Sequence, residues 1–106
     1  MLPAFGEVRT LYWATTTFRV DGDTELGDAL RAWRDHISQA HPKIREVRCY
    51  RFNAGTSVVW QEGFDNFHDY QDLLEEEDDV CERVMADVFR HAIPGTREGR
   101  IWSDGF

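Results

Sequence analysis

Apolar side chains recur along this chain at two periods, and the switches between them lay out the fold. Over residues 7–20, Val8, Thr10, Tyr12, Ala14, Thr16, Phe18 and Val20 form one largely apolar alternating set. A period of two with β-branched and aromatic residues predicts a strand with one face on a core. The intervening set, Arg9, Leu11, Trp13, Thr15, Thr17 and Arg19, mixes large apolar with polar side chains. Asp21-Gly22-Asp23 breaks the strand, and Asp23 or Thr24 is the expected cap of a helix over residues 25–40. There Leu26, Ala29, Leu30, Trp33 and Ile37 recur at helical spacing as one stripe. Pro42 ends that helix, having no amide hydrogen to donate.

The period then returns to two. Residues 44–52 and 57–64 read as strands joined by a turn at Asn53-Ala54-Gly55-Thr56, with Gly55 suited to positive φ. Asp65 or Asn66 is expected to cap a helix with Phe67, Tyr70, Leu73 and Leu74 facing inward. Five acids at residues 75–79 read as a solvated segment. A last helical stripe places Val80, Val84 and Val88 on one line with Cys81, Met85 and Phe89 beside it, stopped by Pro94-Gly95. Residues 97–104 form a closing strand with Ile101 and Trp102 on opposite faces. The order is β-α-β-β-α(α)-β, an α+β, ferredoxin-like arrangement. It predicts a four-stranded antiparallel sheet with its helices on one face, formed by a single domain of residues 1–106.

A sheet whose second face carries Leu11 and Trp13 needs another layer. The simplest layer is a second copy, so a homodimer through the open sheet face is expected. The 42% hydrophobic and 13% aromatic content supports a core. A net charge of −8 repels phosphate backbones and anionic lipid surfaces, which excludes nucleic acid and membranes as expected partners. The first residues show no basic region followed by a long apolar run, so no secretory signal is expected. The two cysteines, Cys49 and Cys81, match no zinc or redox spacing and read as reduced, mostly buried thiols of a cytoplasmic protein.

With this order of elements, and with WQEGFDNFHDYQDLL at residues 60–74, the chain resembles the dimeric α/β-barrel superfamily. Within it, the chain is most similar to the stress-responsive Dabb-type and NIPSNAP-like small domains. Their third strand commonly runs into an aromatic-containing helix start, as residues 60–70 do here. The resemblance implies a dimeric α/β barrel and a cavity between sheet and helices that binds or transforms a small, often aromatic, molecule. The Trp-centred motif of the superfamily's monooxygenases is not matched, since the second helix carries Phe67, His68 and Tyr70 and no Trp. Any catalysis would be cofactor-independent, of monooxygenase or isomerase type.

Candidate chemistry is sparse. His36 and His41 are five apart and do not share a helix face, and His41, before Pro42, reads as a surface residue. His68 and Asp72 are four apart on one helix and could orient each other, but two ligands do not make a metal site. No metal and no cofactor are expected. Tyr50, Trp60, Trp102 and Trp13 could line an aromatic pocket, with Arg48 and Glu62, on the alternating sets of Tyr50 and Trp60, as its polar contacts. The expected acid or base is His68, Tyr50 or Glu62; the expected ligand contacts are Trp13, Arg48, Trp60 and Trp102. In the competing view these aromatics only build the dimer interface of a non-catalytic module. Trp60→Ala is expected to separate the two: ligand lost from a persisting dimer, or a dimer that falls apart.

Overall fold

A computed structural model describes residues 11–21 and 25–103. They form β1 (Tyr12–Arg19), α1 (Leu26–Ala40), β2 (Ile44–Phe52), β3 (Ser57–Phe64), α2 (Phe67–Glu75), α3 (Asp79–Phe89) and β4 (Glu98–Ser103). The expected lead-in over residues 1–6, the start of the first strand over 7–10, the Asp23 or Thr24 cap and Asp104 lie outside the described residues. The sheet order is β2-β3-β1-β4 with every pairing antiparallel. This is the ferredoxin-like order expected from the sequence.

Pairing sorts the strand residues onto two faces. Thr16 lies opposite Trp60, which lies opposite Cys49, so these three share the helix-covered face. Ala14, Glu62 and Val47 form the next row on that face. Trp13 lies opposite Trp102 and Gly63, and Tyr50 opposite Val59, so these belong to the open face.

The core sits under α1. Leu26, Ala29, Leu30, Trp33 and Ile37 are all buried, as the stripe predicts. Trp33 stacks on Trp60 with ring centroids 3.8 Å apart and planes 2° from parallel. Phe89 of α3 meets Phe18 and Trp33 edge-on, at 5.3 and 5.7 Å. Burying such large aromatic surfaces is the main apolar contribution this small chain makes to its stability.

Three expectations are corrected. Helix α2 is capped by Asn66, whose Oδ1 accepts from the Asp69 amide at 2.9 Å, but it buries no residue fully. Phe67 and Leu74 are exposed rather than inward; only Tyr70 and Leu73 are half-buried, because α2 covers one end of the sheet and leaves space beneath it. Helix α3 stops at Phe89, before Pro94-Gly95. There the chain turns back to β1: Ala92 bridges Val20, and the Ile93 amide donates to Arg19 O at 2.7 Å. Cys49 is exposed, on the edge strand β2, and both cysteines are free.

Trp60 is 1% exposed and belongs to the core rather than to an interface. Trp60→Ala is therefore expected to cost about 3–5 kcal/mol, read as a lower urea midpoint. That is much of a small domain's stability, so the variant cannot separate ligand binding from assembly as the sequence suggested.

Candidate functional site

On the helix face of β1 the small residues Ala14 and Thr16 sit between Tyr12 and the large core residues Phe18 and Val20, and leave room there. Helix α2 does not close over that room, and a cavity of about 290 Å³ remains between sheet and helices. Ala14, Thr16 and Glu62 line it from the sheet, Trp33 and Ile37 from α1, and Leu73 and Met85 from α2 and α3.

Glu62 is the acid of that sheet surface. Its cross-strand neighbours are Ala14 and Val47, which offer no charge. Burial pushes its carboxyl up from the ordinary 4.5 to about 7, while the Trp60 indole and His41 pull it partly back. The Trp60 N–H makes no hydrogen bond of good geometry, so the pull is weak. A carboxylic acid that gains and loses its proton near neutrality can serve as acid or base.

At one edge of the cavity three segments converge: the end of α1, the link between α2 and α3, and the start of α3. Asp78 is the hub. Its Oδ1 accepts from the Cys81 amide at 2.9 Å, capping α3. Its Oδ2 lies 2.7 Å from His36 Nε2 and 2.6 Å from His41 Nε2. His41 Nδ1 in turn meets Glu76 Oε2 at 2.8 Å. The Cys81 backbone bond and the His36 and His41 contacts hold the Asp78 carboxyl far below the usual carboxylate range. Burial, and next the Asp78 charge, push the Cys81 thiol up to about 11. His36, His41, Asp78 and Cys81 place one nitrogen, oxygen or sulfur atom each within 4.8 Å of one another, a set that could hold a metal ion.

Sequence reasoning missed this cluster. His41 is buried, not a surface residue. It and His36 need not share a helix face, because α1 ends at Ala40 and the chain turns inward at His41. The acidic run is not wholly solvated either, since Glu76 and Asp78 turn toward the two imidazoles. One signal was available: Asp78, three residues before Cys81 at the start of an apolar stripe, is a helix-cap position, which ties a carboxylate to a fixed place.

The residues singled out from sequence are spread over three surfaces. Glu62 lines the cavity. His68 lies on the outer side of α2 with a 79% exposed side chain, 3.6 Å from Asp72, which is held by Lys43 at 2.7 Å. Tyr50 is exposed on the open face, stacked on Phe52. The expected aromatic pocket divides in the same way. Trp60 is on the helix face, while Trp13, Arg48 and Trp102 assemble on the other. There Trp13 is covered within its own chain: Trp102 stacks on it at 5.9 Å, and Arg48 lies 4.5 Å over its ring. A methyl group on Gly63 would come within 3.1 Å of the Trp13 ring. The Trp102 indole N–H donates to Thr15 Oγ1 at 2.8 Å, which holds it flat on the sheet.

No protein-family model matches the chain, and no curated protein matches it in sequence. Solved structures do match its fold. SnoaB, a cofactor-independent oxygenase from Streptomyces nogalater, superposes with a TM-score of 0.71 at 11% identity, covering 92% of this chain and 94% of that one. The ActVA-Orf6 monooxygenase of Streptomyces coelicolor, in complex with nanaomycin D, gives 0.69 at 15% identity over 92% and 90%. A NIPSNAP domain protein from Burkholderia xenovorans gives 0.61 at 15% identity over 89% and 94%. The chain has the dimeric α/β-barrel fold, as the sequence suggested. Identities this low establish the fold and leave the chemistry to the site.

The raised pKa of Glu62 has a stability consequence. Between 4.5 and about 7 the folded chain keeps a proton that the unfolded chain has lost. Rising pH therefore favours unfolding across that window, and the full cost persists above it. Glu62→Gln lacks this term. Its stability relative to the unaltered chain is expected to rise by roughly 2–3 kcal/mol between about pH 4.5 and pH 7.5 and then level off. Urea unfolding of both proteins across that range reads the difference.

Proposed function

We propose that the chain binds a small apolar or aromatic molecule in the cavity between sheet and helices, and that Glu62 exchanges a proton with it. The observation that carries this reading is the cavity itself, apolar over most of its wall and floored by the Glu62 carboxyl. Its volume of about 290 Å³ suits a ligand of one or two rings. The buried indole N–H of Trp33, which lines the cavity, makes no hydrogen bond of good geometry. A carbonyl or phenolic oxygen on the ligand would supply one. A monooxygenase of the same fold was solved in complex with nanaomycin D, which supports a small-molecule ligand for this fold.

Titration with nanaomycin D and a panel of one- and two-ring phenols and ketones, followed by quenching of tryptophan fluorescence, tests this. Saturable binding that Leu73→Trp removes by filling the cavity is the expected result. Glu62→Gln should still bind but lose turnover of any ligand found to react. A chain that binds no member of the panel, and carries no organic compound by native mass spectrometry after purification, would refute the reading.

The competing reading, a homodimer without chemistry, rests on a different surface. Tyr50 and Phe52 on β2 and Trp102 on β4 leave exposed aromatics at both edges of the open face, which a second copy of the chain would cover. A dimer by itself is compatible with a ligand in the cavity, and we place its interface there. Light scattering is expected to give twice the 12.4 kDa chain mass. Phe52→Asp with Trp102→Asp should give a single chain that retains the cavity ligand, because neither residue lines the cavity.

A further inference from the structure

We propose that His36, His41, Asp78 and Cys81 bind one divalent transition-metal ion of the zinc class, which clips the end of α1 to the start of α3. Nothing in the proton-transfer reading of Glu62 requires this site, and it is tested without any organic ligand.

The donor set is the first argument. Two imidazole nitrogens, one carboxylate oxygen and one sulfur are the mixed ligands that tetrahedral zinc accepts. All four atoms already lie within 4.8 Å of one another. Tetrahedral zinc needs separations of about 3.3–3.8 Å between its ligand atoms. The Asp78 contacts of 2.7 and 2.6 Å would have to open by only about 0.7 Å to admit the ion.

The orientation of the ligands is the second. Glu76 accepts from His41 Nδ1, which turns Nε2 inward. The Cys81 amide occupies Asp78 Oδ1, which leaves Oδ2 for the cluster. Outer carboxylates and backbone groups hold metal ligands in this manner.

Charge balance is the third. His41 faces a carboxylate oxygen at each ring nitrogen. A metal on Nε2 leaves Nδ1–H to donate to Glu76. On binding, the Cys81 thiol releases its proton to solvent. Two neutral imidazoles, one carboxylate and one thiolate then balance the charge of the ion. Four protein donors close the coordination shell, which is the structural rather than the catalytic type of site.

Untagged protein stripped with chelator is titrated with Zn(II) by calorimetry and with Co(II) by absorbance. One ion per chain is expected, with a higher melting temperature in Zn(II). The Co(II) form should show the visible bands of tetrahedral coordination and a near-ultraviolet thiolate charge-transfer band. Cys81→Ser should remove the charge-transfer band, and Cys49→Ser should leave it intact. His36→Ala should weaken Zn(II) at least ~10-fold, with its far-ultraviolet circular dichroism unchanged. The absence of saturable one-per-chain binding overturns the proposal. So does binding that persists at unaltered affinity in both Cys81→Ser and His36→Ala; the cluster is then held by protons alone.

Discussion

The stack of Trp33 on Trp60 is the contact that the rest of this chain depends on. It joins the middle of α1 to one of the two inner strands of the sheet, face to face at 3.8 Å. With that point pinned, the helical repeat places Ile37 one turn further along α1 and His36 beside it. The same strand carries Glu62 two residues beyond Trp60, on the same face. Core, cavity and polar cluster are therefore set by one aromatic contact and the two periodicities that run away from it.

The second constraint is how the sheet's helix face is filled. Large side chains stand at both ends of it, Phe18 at one and Phe64 at the other, and the small Ala14 and Thr16 lie between them. A close-packed interior needs a bulky helix surface over small strand residues. Helix α2 does not provide one: it buries no residue fully, and Leu74 is exposed. The space stays open, and Glu62 is left facing it in apolar company, which keeps its proton on until about neutral pH.

Asp78 shows how one carboxylate can organise three segments. It is the fourth acid of the acidic run, caps α3 and meets two imidazoles from the far end of α1. Taking an acid partly out of water is costly unless it is hydrogen-bonded, and here both oxygens are. On the opposite face of the sheet, Trp13 finds its cover within the same chain, from Trp102, Arg48 and the bare backbone of Gly63. The exposed aromatics of that face are instead Tyr50, Phe52 and Trp102.

The order of elements, the stripe of α1 and the ferredoxin-like sheet were legible in the sequence, because period and turn chemistry are local. Resemblance at residues 60–74 extended that reading to the right fold. Glu62 was legible as a residue sharing Trp60's set, but not as one facing a cavity. An alternating pattern tells which residues lie together and not which side the helices cover. His36, His41, Asp78 and Cys81 were read one at a time, as surface, solvated or inert, because 37 residues of chain separate His41 from Asp78. The elements and their order follow from local pattern, since they depend on neighbours within a turn or a strand. Which groups meet across the helix ends follows from long-range packing, because that depends on where α1 comes to rest on the sheet.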